Sequence, residues 1–287
     1  MSHLVAICRA LDFVEAHLTQ EIAVADMAAA ASYSLYHFSR TFNRVVHHTP
    51  YDYLMRRRLS ESARQLLESD KRIIDIALDY QFNNPETYSR AFKRMFGVQP
   101  SQCKAQESLD ERLLLPPLTP DYVRHINQGQ RLKPLLKQID GLHLVGLMTL
   151  VGDDPSIIPR LWEKLGHELA RVQGVQGTEE AYGITWHPEG WAGREQLYLA
   201  AVDAQPLEGT ESALVVKTIA PLRCASFLHK GARRELRHTL NYIYGTWLPK
   251  SGERLACRMV IENYDKDWER CREGEIETEW ELYIPIE

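Results

Sequence analysis

The chain has 287 residues, 44% of them hydrophobic and 25% charged, which is enough for two domains of ordinary size, each with its own core. It has no low-complexity tract, its apolar runs fall far short of the roughly 18 residues a membrane span needs, and the start MSHLVAICRALDF lacks a signal-peptide layout. Membrane and secretory classes are thereby disfavoured, and a cytoplasmic protein is expected. The five cysteines, Cys8, Cys103, Cys224, Cys257 and Cys271, are scattered and form no CxxC or Cys/His cluster, so neither a disulfide framework nor a metal site is expected. No nucleophile triad or phosphate loop is present, and no catalytic residue or cofactor is expected. The net charge of −5 is unevenly spread. From Ser34 to Lys104 there are 12 Lys and Arg against 7 Asp and Glu; from Met259 to Glu287 there are 3 against 10. A basic module joined to an acidic one suits a protein that holds nucleic acid with one part and something else with the other.

Taken in order, His3 to Thr19 reads as an amphipathic helix, with Leu4, Ile7, Cys8, Leu11, Val14 and Leu18 at three- and four-residue steps. Ala25 to Ala31 is a short small-residue helix. Ser34 caps the next one, whose inner face is Phe38, Thr41, Phe42 and Val45 and whose outer face offers Tyr36, His37, Ser39, Arg40, Asn43 and Arg44. TPYDYLMRRRLSESARQLLES follows as a helix of roughly 18 residues, a rod of about 27 Å, begun by Thr49, Pro50 and Asp52. Arg56, Arg57 and Arg58 on it read as phosphate contacts or solvated charge.

Asp70 to Pro100 then reads as two short helices and a tight turn. Asn84 caps the second, Pro85 begins it and Gly97 ends it. Tyr88, Ala91, Phe92, Met95 and Phe96 form its apolar stripe; Glu86, Thr87, Arg90, Lys93 and Arg94 lie off it. Alone, this is equally a DNA-reading helix–turn–helix or a helical hairpin with a solvated basic face. The preceding module decides between them, because it is the same pattern. Met27-Ala28 and Tyr33 match Ile76-Ala77 and Phe82 at an offset of 49; past the turn the offset is 50, matching Phe38 with Tyr88, Arg40 with Arg90, Phe42 with Phe92 and Val46 with Phe96. The second turn is thus one residue longer. A repeated outward Arg is hard to explain by packing, and Arg suits bidentate contact with guanine or phosphate.

From about Leu4 to Lys104 the chain resembles the AraC/XylS transcription regulators. The doubled helix–turn–helix, the linking helix RRRLSESARQLL, IIDIALDYQF and YSRAFKRMFGVQPSQ carry the resemblance. It implies two recognition helices entering successive major grooves, with base-edge contacts at Tyr36, Ser39 and Arg40 in the first and at Glu86, Thr87 and Arg90 in the second. His37, Arg44, Lys93 and Arg94 complete the DNA-facing set. Glu86 suits a cytosine amino group but repels phosphate, so the first helix is expected to do more of the reading.

The helical pattern fails from Ser108 to Lys133, where Pro116, Pro117, Pro120 and Gly129 mark an interdomain connection. The expected organisation is residues 1–110 as an all-α double helix–turn–helix domain, 111–132 as a linker and 133–287 as an α+β domain. In the last part GLHLVGLMTLV reads as a strand, Pro155 to Val172 as a helix, and YGITW and QLYLAAV as strands. LVVKTIAP leads into the strand RCASFLHKG, then a helix from Glu235 to Leu248 and the strands RMVIENY and TEWELYIPIE. Strand–helix–strand–strand twice over predicts a continuous antiparallel sheet.

Through CASFLHKG, IENY and WELYIPI, this part resembles the GyrI-like small-molecule-binding domain, and the order of the two domains is that of the Rob-type regulators. The resemblance implies an aromatic pocket between the pseudo-repeats, with a carboxylate facing an often cationic ligand. By motif position the carboxylate is Glu262, with Glu281 and Tyr283 as neighbours and Trp186, Tyr198 and Trp247 as candidate walls. A carboxylate among rings attracts an organic cation by charge and cation–π contact. The competing reading makes the rings core and leaves some of Glu277, Glu279 and Glu281 solvated on one strand face.

The expected function is a transcription regulator, an activator, with double-stranded DNA, RNA polymerase and a small cationic or aromatic effector as partners. Two alternatives stay open for the second domain. One is a small-molecule hydrolase using Glu262 as base and Tyr283 as donor. The other is a protein-interaction module without a ligand.

Overall fold

A computed structural model describes residues 3–128, 132–152, 154, 156–171, 180–187, 196–204, 214–264 and 278–287. Among these residues the α-helices α1 (His3–Ala16), α2 (Val24–Ala30), α3 (Leu35–Val46), α4 (Pro50–Glu68), α5 (Ile73–Asp79), α6 (Pro85–Phe96), α7 (Pro100–Gln106) and α8 (Pro120–Gln128) come first. Then follow β1 (Leu135–Ile139), β2 (Leu142–Val151), α9 (Ile157–Arg171), β3 (Ala181–Trp186), β4 (Gln196–Asp203), β5 (Val215–Ile219) and β6 (Leu222–Gly231). The chain closes with α10 (Leu236–Tyr242), a π-helical turn (Ile243–Trp247), α11 (Leu248–Ser251), β7 (Met259–Tyr264) and β8 (Thr278–Pro285). They form two compact units, Met1–Gln128 with His238–Gly252, and Gly129–Arg237 with Glu253–Glu287.

In the helical unit the expected duplication is structural. The turn after α2 closes by Tyr33 N–H donating to Ala28 O at 2.9 Å, and the turn after α5 by Phe82 N–H donating to Ala77 O at 2.9 Å. Each passes through one left-handed residue, Ser32 at φ 56° and Gln81 at φ 64°. Every pair in this turn keeps the offset of 49. Asn83 is the added residue, and from Ser34 and Asn84 onward the offset is 50. Both caps form: Ser34 Oγ accepts from His37 N–H at 3.4 Å, and Asn84 Oδ1 from Glu86 and Thr87 N–H at 2.8 and 3.4 Å. Phe38, Phe42 and Val46 are buried on α3 as Tyr88, Phe92 and Phe96 are on α6.

Two expectations are corrected here. The arginine triplet is not a DNA-facing cluster. Arg57 is 1% exposed. Its guanidinium donates to both Glu15 oxygens at 2.8 and 2.7 Å, to Glu61 Oε1 at 2.8 Å and to Leu115 O at 2.6 Å. Arg58 donates to the carbonyls of Leu18 and Gln20, which terminate the α1 region, and Arg56 turns back to Asp52 at 3.2 Å. The stretch 111–132, expected as a linker, is folded over its described part: Leu115, Leu118, Tyr122, Val123 and Ile126 are buried. After a 3₁₀ turn at Glu111–Leu113 the chain runs without a helical period because α4 holds it at Leu115. Ser60 Oγ accepts Leu115 N–H at 2.9 Å and Arg57 takes the Leu115 carbonyl.

The run His238–Gly252, within the stretch expected as the second domain, belongs by its contacts to the helical unit. His48 Nε2 bonds Thr246 Oγ1 at 2.9 Å and its Nδ1 bonds Asp52 at 2.7 Å. His125 Nε2 meets Thr239 Oγ1 at 2.8 Å, and the Arg112 guanidinium lies 5.1 Å from the Tyr244 ring centre.

Among the described residues the other unit holds α9 and one antiparallel sheet of eight strands, in the order β1-β6-β8-β7-β3-β4-β2-β5. Each repeat carries one more strand than the four-element reading: β1 precedes the first and β5 the second. Reversing the order while exchanging β1–β4 for β5–β8 reproduces it, so the repeats are related by a pseudo-two-fold through the β3–β7 pair. The first strand of each repeat pairs with the other repeat: β1 with β6, and β5 with β2. β1 went unread because Leu135-Leu136-Lys137-Gln138-Ile139 lacks clean alternation, being an edge strand whose first two leucines are exposed.

Candidate DNA-facing surface and effector pocket

On α3, Tyr36, His37, Arg40 and Arg44 are exposed and Ser39 is half-buried. Helical period explains this: each lies off the row Phe38–Thr41–Phe42 that faces the core. Arg40 Nη1 donates to Tyr36 OH at 3.2 Å, and its guanidinium sits 5.5 Å from that ring's centre. Ser39 Oγ donates back to Leu35 O at 2.9 Å. On α6, Glu86, Thr87, Arg90, Lys93 and Arg94 are all exposed. Each predicted surface therefore lies on one helix face, with Arg40 and Arg90 at matching positions.

In the sheet unit, alternation divides the predicted ligand set. Gly183 pairs with Glu262, and Glu262 with Leu282, so these share one face with Tyr264 and Trp280. Tyr198, opposite Thr185, is on that face too. Trp186, Glu281 and Tyr283 are on the other, where Tyr283 packs with Tyr182, Ile184, Leu199 and Ile261 and Trp186 lies against the same cluster. The expectation that Glu281 and Tyr283 flank Glu262, with Trp186 as a wall, is thereby corrected. Glu281 already has its own partners: Lys137 Nζ donates to it at 2.8 Å and Tyr283 OH at 2.7 Å, while Asn263 donates to Tyr283 OH at 2.6 Å. Burial pushes the Glu281 carboxyl up, but Lys137 and Tyr283 outweigh it and leave it below its ordinary range. Trp186 has Lys217 Nζ 4.6 Å from its ring centre. Trp247 lies in the helical unit, in the π-helical turn.

The Glu262 face holds a compact polar cluster among rings. Glu262 is 1% exposed. Arg233 Nη1 donates to its Oε2 at 2.6 Å and Nη2 to its Oε1 at 3.0 Å, a bidentate pair. Tyr264 OH donates to Oε2 and receives Arg233 Nη1. Tyr198 OH accepts from Trp162 Nε1 at 3.1 Å and from Arg233 Nη2 at 3.4 Å, and the guanidinium carbon lies 5.3 Å from the Tyr198 ring centre. The Trp162 and Tyr264 rings meet edge to face at 5.4 Å, and Trp280 lies 5.6 Å from Tyr264. Burial alone pushes the Arg233 guanidinium down, yet Glu262 and the two phenols outweigh it and hold it well above its ordinary value. Burial pushes the Tyr198 phenol up. The chemistry present is recognition of a delocalised cation by a carboxylate, a ring face and two hydroxyls.

Two local features build this cluster. Gly183 leaves room for the rings: a Cβ there would collide with Tyr198 OH and come within 3.3 Å of the Tyr264 ring. Gly231, at φ 133°, turns the chain out of β6, and Glu235 accepts Ala232 N–H at 3.1 Å, fixing the short turn that starts at Arg233. Of the expected set, Glu262 and Tyr198 come together. Arg233, Tyr264 and Trp162 were missed. Tyr264 was legible, two residues beyond Glu262 on a strand; Trp162, an apolar ring on the helix expected from Pro155 to Val172, and Arg233 carried no signal of a site.

Residues 27–106 match a helix-turn-helix domain model and residues 133–287 a GyrI-like small molecule binding domain model. The HTH-type transcriptional activator AarP of Providencia stuartii is 32% identical over 108 residues, 37% of this chain and 80% of AarP. The transcriptional regulator Rob of Salmonella typhimurium is 37% identical over 108 residues, 38% of this chain and 37% of Rob. An uncharacterized HTH-type transcriptional regulator of Bacillus subtilis, YbfP, is 39% identical over 95 residues; the match spans about a third of either chain. The chain belongs to the GyrI-like small-molecule-binding family, carried here behind the helix–turn–helix domain of the AraC/XylS regulators.

Proposed function

We propose that this DNA-binding regulator is a transcription activator that reads one operator through α3 and α6, works with RNA polymerase and senses an organic cation at Glu262. The observation that carries the DNA reading is the pair Arg40 and Arg90, exposed at the same position of two helices whose buried faces also match. Packing asks nothing of those positions, whereas guanine and phosphate are what a guanidinium recognises best. The name of the relative AarP, a transcriptional activator, supports activation. The sensing reading rests on the buried carboxylate and aromatic cluster. The hydrolase alternative loses its named pair, because Glu262 and Tyr283 lie on opposite faces of the sheet.

The test is operator selection from random duplexes, followed by affinity against salt. Arg40→Ala is expected to weaken binding to the selected site about tenfold or more and to reduce the salt slope by about one. Unchanged affinity and slope would remove α3 from the reading surface.

A further inference from the structure

The Glu262 pocket is filled, and what fills it belongs to this chain. We propose that Arg233 is a built-in surrogate ligand, and that the effector is a planar aryl-amidinium or aryl-guanidinium cation that binds by displacing the Arg233 guanidinium from Glu262. The inference rests on the reading of this pocket as the effector site.

The two partners are held differently. Glu262 comes from β7, in the middle of the sheet next to the β3–β7 seam, and its carboxylate has no access to water. Arg233 comes from a three-residue turn after Gly231, and its side chain keeps 18% of its exposure. A guanidinium that leaves for solvent regains its hydration. A carboxylate left behind in a ring-lined pocket regains nothing, so the exchange is favourable only when another cation takes the vacated place. A ligand must therefore supply the charge itself. The shape of the place it inherits is set by Arg233: two parallel N–H donors to the two oxygens of Glu262, a planar centre near the Tyr198 ring and contacts with the hydroxyls of Tyr198 and Tyr264. An amidinium reproduces the fork, whereas a quaternary ammonium supplies charge alone. The rings of Trp162, Tyr264 and Trp280 pack on one another beside this place, and an aryl group would lie along the path that the Arg233 side chain vacates.

Competition by an internal group lowers apparent affinity by the fraction of molecules in which the place is free. Removing the competitor raises affinity by the same factor. The experiment measures benzamidinium and benzyltrimethylammonium binding to the full chain by calorimetry, for the wild type, Arg233→Ala, Arg233→Lys, Glu262→Gln and the double variant Arg233→Ala/Glu262→Gln. Arg233→Ala is expected to bind benzamidinium at least tenfold tighter than the wild type, with a smaller gain for benzyltrimethylammonium. The gain should vanish in the double variant. In the wild type, saturating benzamidinium should free rotation about the Arg233 guanidinium, read by 15N NMR; this and Arg233→Lys, expected to show an intermediate gain, stand if the alanine variant does not fold. Equal benzamidinium affinity in wild type and Arg233→Ala, with binding still lost in Glu262→Gln, overturns the surrogate while leaving Glu262 as the effector site. Absence of binding in wild type, Arg233→Ala and Arg233→Lys alike overturns the effector site itself.

Discussion

At the residue scale, the polar cluster around Glu262 depends on an absent side chain. Gly183 sits opposite Glu262 across the β3–β7 pair, and the Tyr198 hydroxyl occupies the volume where a Cβ would be. Tyr198 is fully buried, so it has nowhere to retreat. Gly183→Ala is expected to destabilise the sheet unit by about 2 kcal/mol through overpacking, seen as a lowered urea midpoint with unchanged slope. His48 has a comparable role in the helical unit. Burial pushes its imidazole below the ordinary 6.5, with the charges of Lys250 and Arg56 adding to the effect and Asp52 opposing it. It is therefore neutral in the fold, where its two ring nitrogens serve Asp52 and Thr246. The unfolded chain takes up a proton near 6.5 and the folded one only at lower pH. The stabilisation is complete above about 6.5 and drains away as pH falls below it. Urea unfolding at pH 7.5 and 5.5 should show this loss, and His48→Gln should reduce the difference. Asp52 follows far lower: burial pushes it up, but His48 and Arg56 prevail and hold it at about 2, so it still counts at pH 5.5.

At the scale of elements, α4 is the strut of the helical unit. Its 19 residues separate the two helix–turn–helix modules, as expected, but Arg57 and Arg58 point inward rather than at DNA. Arg57 ties α1 through Glu15 and the extended stretch through Leu115 O, while Tyr53 OH donates to the same Glu15 at 2.7 Å. Removing it leaves two carboxylates and a carbonyl without their shared donor. Arg57→Ala is expected to cost about 3 kcal/mol in unfolding free energy, yet to leave the salt slope of DNA binding unchanged at temperatures where the variant is folded. A phosphate contact would behave in the opposite way, losing slope and keeping stability. Helices α3 and α6 were legible because their period, caps and stop signals are local, though α3 buries Val46 where Val45 was expected on its inner face. Asn84, Pro85 and Gly97 bound α6 as their chemistry dictates, with Gly97 ending it at φ 78°. The arginine triplet was not legible, since a charged run on a helix reads as solvated until the element beside it is known.

At the scale of the whole chain, the repeats differ in kind. The first is tandem, two modules joined by one rod. The second is interlocked, with each repeat lending its first strand to the other's edge. An open sheet of this kind keeps both its edges short, five residues each in β1 and β5. The sequence by itself determined the main helices and strands of each part and the duplication with its one-residue insertion, because helical period, strand alternation and turn chemistry act over a few residues. Only the tertiary structure decided which side chains meet. Glu262 and Glu281 read as neighbours in short motifs, yet the β7–β8 register sets them on opposite faces. Arg233 stood in a turn with nothing to mark it, and became the partner of Glu262 because Gly231 bends the chain back over the sheet. Register and chain reversal join residues far apart in sequence, and no local pattern of hydrophobicity or charge encodes that meeting.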